Sequence, residues 1–470
     1  MSSRKQGWGW QEVQKRFLRV RDLCYKGRTS FPSPIGNPLS GESMKIEDVD
    51  VRDIARHYGT PVYVYSLKTL RAAIAEIKTL APVVRYAMKA ESNRVILQEM
   101  KKQGIHIDAV SVLEVQRALR AGFDASEVCF TSDVFFHASD AEYCIENNVY
   151  TNCGTLGMLR EYGETLKRLG KGSNKVSIRI NPGEGSGHSK KTNTGGPYSK
   201  HGIWHQSLDE ARAIAKEYGL IINGVHIHIG SGGDMEHLKR LTGKLVEFAK
   251  QFDDVEVINF GGGLPYQYRE GQPEADVSAY KPILEERLAI LEKHFGRKIR
   301  CEIEPGRRFV AGCGYLLGEV RALNHTLDEN GKRLDYVLGN IGFCHLLRPM
   351  AYGSYHAIQF VGDKMGPEQD VIVAGPVCES GDVLTQENEE PVPRKLPLPN
   401  PGDIMVVGGA GAYGFVMSSN YNTQPLLPEV VVDGSKCILA RRRQTPRRHP
   451  ERRRRSVKSR SSKSLFWNMF

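Results

Sequence analysis

From about residue 66 onward, apolar side chains recur at helical spacing and give way at short intervals to brief apolar runs. The spacing predicts helices over 66–79, 91–103, 112–121, 138–147, 155–169, 207–219, 236–251 and 278–295. The runs between and after them lie at 83–88, 105–110, 128–131, 149–152, 176–181, 221–229, 255–260 and 299–303. They are continuous rather than alternating, as parallel strands covered by helices should be. Eight strand–helix units in this order predict a (β/α)8 TIM barrel over 66–308. An open doubly wound sheet is the alternative. Its first strand ordinarily enters a Gly-rich turn, whereas here the first run ends at Lys89.

Beyond residue 308 the period changes. Runs at 309–320, 333–339, 354–361, 370–374, 403–407 and 429–440 are rich in β formers and divided by Gly, Pro and Asn turns. They predict a C-terminal all-β domain over 309–440 that also recruits an early strand at 62–65. The Pro/Glu-rich stretch 387–401 reads as a surface loop. Residues 1–43 and 441–470 lack a core pattern and read as disordered extensions.

Composition is that of a soluble globular protein, 40% apolar and 25% charged in 470 residues. No run approaches a membrane span and no signal-peptide core follows the N-terminus, so a cytoplasmic chain with no membrane contact is expected. Nine cysteines, odd in number and scattered, favour reduced thiols. The net charge of +11 is misleading as a whole. Residues 441–470 hold twelve Lys+Arg against one Glu, and residues 1–43 hold eight against three acids. The remaining 45 basic and 50 acidic residues give the body −5, so nothing in it calls for nucleic acid; only the basic tail leaves room for non-specific binding.

In a barrel, reacting groups stand at the C-terminal strand ends, and phosphate sites favour the loops after strands seven and eight. Strand one ends at Lys89, strand six in His226-Ile227-His228-Ile229-Gly230-Ser231, strand seven in Gly261-Gly262-Gly263, and strand eight in Glu304-Pro305-Gly306-Arg307. A lysine closing a buried run is costly unless its amine is used. Desolvation lowers its pKa, which suits Schiff-base chemistry. The three glycines offer backbone N–H groups to a phosphate or mark only a tight turn, with Ser231 and Arg307 as further donors. His226 and His228 share a strand face, but later metal ligands cannot be assembled and no metal is expected. His226 reads as a core histidine and His228 as a ring able to stack. Glu304 is either a salt-bridge partner of Arg307 or Arg308, or an anion that keeps a pyridine nitrogen protonated. In the β domain, 375–382 sets Cys378 beside Glu379 in a turn, and 347–352 and 411–414 bring Arg348, Tyr352 and Tyr413.

Together these motifs resemble the fold-type III pyridoxal-phosphate decarboxylases, which share an alanine-racemase-like barrel. The likeness covers about 45–445 and includes the loops 187–196, 199–203 and 417–422. It implies that Lys89 carries pyridoxal 5'-phosphate as a Schiff base, that His228 stacks on the ring, and that Glu304 holds the pyridinium. Ser231, Gly261, Gly262, Gly263, Gly306, Arg307 and Tyr413 are implied around the phosphate, and Cys378 as the proton donor after CO2 leaves. Arg348, Tyr352 and Glu379, with Arg307 and Tyr413, are similar to groups that read a distal amino-carboxylate. The implied reaction is decarboxylation of meso-2,6-diaminopimelate to L-lysine, in a homodimer whose partner supplies Cys378 and Glu379.

A cationic tail, as in ornithine or arginine, would meet Arg348 as a liability. A racemase of the same fold is the other enzymatic alternative, against which Cys378 stands where such racemases use tyrosine. A basic-tailed binding protein on an inactive barrel is the non-enzymatic one. The chain departs from the family at Asn340 and Gly409, where Asp is usual. It also departs at its two ends, where Met44 makes a natural start and an over-long or frame-shifted gene model is expected.

Overall fold

The computed structural model describes residues 43–185, 194–228, 230, 235–269, 277–387 and 389–445. Eight parallel strands follow one another around a closed barrel: Val83–Ala87, His106–Ala109, Val128–Ser132, Tyr150–Cys153, Lys175–Asn181, Ile221–His226, Val257–Asn259 and Arg300–Ile303. Closure is made by pairing of the fifth with the sixth strand and of the eighth with the first, where Glu302 meets Val83. The helix Leu67–Ile77 precedes the first strand, and the helices between strands include Arg94–Lys102, Val112–Ala121 and Leu156–Leu169. Each starts on a side chain that accepts from the first turn: Ser66, Asn93, Ser111 and Thr155. Their buried faces and the strands form one continuous apolar core.

The second sheet is built on the long strand Gly314–Leu327. On one side it pairs with Val62–Ser66, which in turn pairs parallel with Glu429–Asp433; on the other it pairs with Ile404–Val407. A shift of register near Val320 then turns the strand's distal half onto Arg333–Gly339. Among the described residues no helix is long and apolar enough to cross a membrane.

Five readings of the sequence need correction, the first being where the C-terminal extension begins: Arg441 closes a strand, Arg443 and Gln444 donate to the Pro61 and Leu426 carbonyls, and only 446–470 lie outside the described residues. Residues at the start of the predicted run 309–320 are not strand, because Arg307–Val310 is a helical turn that points the chain out of the barrel. The run 429–440 is a hairpin, Glu429–Asp433 and Lys436–Arg441, folded at Gly434 with φ +61°. The stretch read as a surface loop contains the strand Arg394–Pro397, paired with Glu368–Val371; proline at its end is tolerated because this strand is the sheet edge. The helix Val51–Tyr58, just before the predicted start of the pattern, was not anticipated; it is short and packs its Val51 and Ile54 beneath the second sheet.

Candidate active site

Strand register sets the floor of the site. Arg179, His226 and Asn259 stand side by side on the fifth, sixth and seventh strands, and Glu304 follows the eighth. His226 Nε2 lies 2.7 Å from Glu304 Oε1, and the Asn259 amide donates to Glu304 Oε2 at 3.3 Å. Burial alone would raise the Glu304 carboxyl, but His226, His228 and Lys89 hold it down at about 2. The alternative salt bridge is not made: Arg308 pairs with Glu76 at 2.8 Å, and Arg307 donates to the Tyr268 hydroxyl at 3.0 Å.

His228 accepts from the Gly262 N–H at Nδ1, 3.2 Å, which leaves its proton on Nε2. Burial, with Lys89 and Arg179 nearby, keeps the ring neutral by pushing its pKa well below the ordinary value. This bond also corrects the expectation of three exposed glycine N–H groups. Gly262 is engaged with His228, and the Gly261 N–H donates to Asn259 Oδ1 at 2.8 Å. Only the Gly263 N–H donates to none of the described residues. The glycines are also required by packing: a Cβ at Gly262 would stand 2.5 Å from the Glu304 carbonyl, and one at Gly306 3.0 Å from the Ala87 carbonyl. Ser231 and residues 187–193 of the 187–196 loop lie outside the described residues.

Lys89 is half-buried in a single helical turn, Met88–Ala90, at the end of the first strand. The expected lowering of its pKa is reversed. Burial does push it down, but Tyr413, Asp108 and Glu304 outweigh burial and hold the ammonium above its ordinary value. Asp108 was not anticipated, although it stands at the end of the second strand as Lys89 stands at the end of the first. It is buried, and burial with Glu304 nearby raises its carboxyl to about 8. Asp108 Oδ1 and Arg179 Nη2 are buried without a hydrogen-bond partner among the described residues, so polar atoms at the barrel mouth face a group still to be matched.

The wall above comes from the β region. Tyr413, at φ +57°, donates its N–H to the Ala90 carbonyl at 2.8 Å and stacks on Arg307 at 4.9 Å. Arg348 is buried, donates to His356 Nε2 at 2.9 Å, and lies over the Tyr268 ring at 4.7 Å. His356 gives its single ring proton, on Nδ1, to the Gly408 carbonyl. Tyr268, between the two guanidiniums, and His356 were missed by the sequence reading. Neither Arg307 nor Arg348 has a carboxylate partner among the described residues. Tyr352 is at the exposed end of the same short helix as Arg348.

Asn340 and Gly409, where the resemblance leads one to expect Asp, each have a local reason. A Cβ at Gly409, φ +64°, would meet the Tyr268 ring at 3.2 Å, so the glycine makes room for that tyrosine. Asn340 accepts from the Glu319 N–H and donates to Thr60 Oγ1, which contacts Glu319; an aspartate would lose the donor and crowd a second carboxylate there.

Cys378 and Glu379 stand apart on an exposed turn. The turn is tied down by Asp382, which accepts from the Val377 and Phe343 N–H groups at 2.7 and 2.6 Å. The Cys378 N–H donates to Asn422, and Tyr421 donates to Glu379 at 3.5 Å. Among the described residues no hydrogen bond joins this turn to the Lys89 cluster. Nor do three His, Cys, Asp or Glu side chains converge there as metal ligands. The donor set of an amine, a buried ionised carboxylate, a neutral imidazole and two uncompensated arginines suits pyridoxal phosphate, which brings an aldehyde, a ring nitrogen and a phosphate.

Comparison with known proteins agrees. Residues 67–311 match the family model described as the pyridoxal binding domain of pyridoxal-dependent decarboxylases. The chain is 42% identical to a Streptomyces coelicolor diaminopimelate decarboxylase over 83% of this chain and 88% of that one. It is 41% identical to that of Escherichia coli K12 over 83% and 92%. A crystal structure of a diaminopimelate decarboxylase superposes with a TM-score of 0.79 at 39% identity, covering 85% of this chain and 95% of that one.

Proposed function

The chain belongs to the diaminopimelate decarboxylase family of pyridoxal-dependent decarboxylases, and we propose on that premise how its site converts meso-2,6-diaminopimelate to L-lysine and CO2. The observation that carries the reading is the junction of two groups. Lys89, Glu304 and His228 meet at the barrel mouth, and above them two arginines lack a carboxylate partner among the described residues.

Lys89 would anchor pyridoxal phosphate, with Glu304 at its ring nitrogen, His228 against its face, and Ser231, Gly263, Gly306, Arg307 and Tyr413 about its phosphate. Bound there, the cofactor supplies an electron sink for the pair left when a carboxylate departs. Glu304 serves because it stays ionised, so a proton opposite it is retained. His226 and Asn259 serve by fixing that carboxylate's direction. Arg348, oriented by His356 and Tyr268, binds the distal carboxylate of the substrate, and Tyr352 borders it. Glu379 takes the distal ammonium. Cys378 delivers a proton to the carbon that lost CO2.

The last two roles require the exposed Cys378–Glu379 turn of one subunit to complete the site of another, hence a homodimer with shared sites. Cytoplasmic residence is supported by eight described cysteines that are all free thiols. CO2 release from meso-diaminopimelate, ornithine and arginine tests the assignment. Release from diaminopimelate alone is expected, and release from ornithine or arginine but not from diaminopimelate would overturn it.

A further inference from the structure

Two buried glutamates share one tyrosine. Tyr65 Oη lies 2.9 Å from Glu91 Oε2 and 3.0 Å from Glu429 Oε1, and both glutamates are 0% exposed. Glu91 is two residues beyond Lys89, whereas Tyr65 and Glu429 belong to paired strands of the second sheet. Tyr65 has one proton and can donate it to one carboxylate only; the other oxygen–oxygen contact needs a proton from the acid itself.

Arg441 decides which acid that is, because it forms an ion pair with Glu429. Glu429 is then the ionised acceptor of the tyrosine proton. Glu91 has no such partner: its Oε1 accepts from the Asn93 N–H at 2.9 Å, and its Oε2 is left to donate to Tyr65. The other titratable groups facing it are Tyr63, Tyr86, Cys313 and Arg441; Arg441 is a cation that pulls Glu91 down, but its ion pair is with Glu429, and burial and the Glu429 carboxylate outweigh it. Tyr86 comes from the strand that leads to Lys89, and its hydroxyl donates to the Glu91 carbonyl at 2.8 Å.

We propose that Glu91 is a positioning residue that works as a neutral acid, donating a hydrogen bond to Tyr65 and so clamping the Lys89 turn to the second sheet. The direction of its titration agrees, since burial and the neighbouring Glu429 carboxylate push Glu91 well above the ordinary range. The Tyr413 N–H to Ala90 bond is the second tie across the same seam. Ionisation of Glu91 would face two carboxylates across one hydroxyl and open the first tie. The effect on the cofactor rests on the role proposed for Lys89; the protonation of Glu91 does not.

Glu91→Gln replaces the acid with an amide that can accept from Asn93 and donate to Tyr65, while Glu91→Leu can do neither. Thermal unfolding of the full chain with pyridoxal phosphate, from about pH 5 to pH 9, gives the first readout. An acid raised in the fold costs stability as pH climbs from its unfolded to its folded pKa. The wild type should therefore lose ground to Glu91→Gln by up to about tenfold in unfolding constant per pH unit. Parallel profiles would overturn the neutral acid.

The second readout is release of bound pyridoxal phosphate after dilution, followed by visible absorbance. Glu91→Gln should release within about threefold of wild type and Glu91→Leu about tenfold faster. Equal release from both variants would overturn the positioning role. Tyr65→Phe carries the expectation of Glu91→Leu should that variant not fold. A visible band that survives Lys89→Ala would refute the anchor and leave the pH test standing.

Discussion

Glu304→Gln keeps the size of the side chain and its approach to His226 and Asn259 while deleting its charge. In the fold this carboxyl is held at about 2 against an ordinary 4.5. Burial opposes that and the surrounding His226, His228 and Lys89 overcome it. At about 1.4 kcal/mol per tenfold, the gap corresponds to roughly 3 kcal/mol in favour of the ionised form. If that charge retains a proton on a ring nitrogen opposite, its loss should lower turnover by about two orders of magnitude. The assay is CO2 release from saturating meso-diaminopimelate, with visible absorbance recorded to establish that cofactor is bound. The acid limb of stability gives an independent check. A depressed carboxyl stabilises the fold above its unfolded pKa and that contribution fades as pH falls from about 4.5 towards 2. Glu304→Gln should therefore lose less Tm than wild type between about pH 5 and pH 3. Turnover within about fivefold of wild type, with the band intact, would refute the reasoning, since a fivefold change is only about 1 kcal/mol.

Lys89→Ala should lose the visible band of covalently held cofactor together with turnover, by about four orders of magnitude or more. Mixed with Cys378→Ala, itself slow, it should regain up to about a quarter of wild-type CO2 release, because half the dimers then carry one intact shared site; no recovery after subunit exchange would count against sites shared between subunits. Arg348→Met should raise KM for diaminopimelate about 30-fold or more with a smaller change in kcat, the signature of a lost carboxylate pair, read from initial rates. Asn340→Asp should destabilise the fold by about 1–2 kcal/mol in chemical denaturation, and more at about pH 8 than at pH 5, because the added carboxyl sits beside Glu319. An unchanged midpoint would mean that the Thr60–Asn340–Glu319 contacts contribute nothing.

The barrel was legible because its helices are amphipathic and its strands are uninterrupted apolar runs, so period alone separates them. Lys89, Glu304 and Arg307 were legible because a barrel puts strand ends on one rim. The same rule, applied to every strand, would have found Asp108 at the end of the second. What could not be read depends on closure and on the seam between the sheets. The His226–Glu304 bond joins residues 78 apart, Tyr268 matters only because Arg307 and Arg348 converge on it, and Glu91 only because Glu429 comes back 338 residues later. The pKa of Lys89 was misjudged for the same reason: its burial is visible as an apolar run, but the acids that outweigh burial arrive from three other segments.

Those acids are not in the same state, and the difference gives the site its sign. Asp108 is raised to about 8, so at neutral pH it is mostly uncharged, whereas Glu304 stays ionised. Among the described residues the cations Lys89, Arg179, Arg307 and Arg348 are then set against two carboxylates, Glu304 and, beside Arg179, Asp133, whose carboxyl His201 and Arg179 hold below its ordinary value against burial. Such a surplus in a partly desolvated cleft is costly unless anions share it. A phosphate and a substrate carboxylate supply that charge, and a substrate with a second carboxylate supplies more than one with a bare ammonium tail. Ornithine or arginine would add a cation beside Arg348 without bringing the anion that none of the described residues supplies to this guanidinium. The preference for a distal amino-carboxylate thus follows from which buried acids keep their protons as much as from the arginine proposed to bind the substrate. Asp108→Asn should leave that preference nearly unchanged, while Arg348→Met should erode it, when diaminopimelate and ornithine compete for the same enzyme.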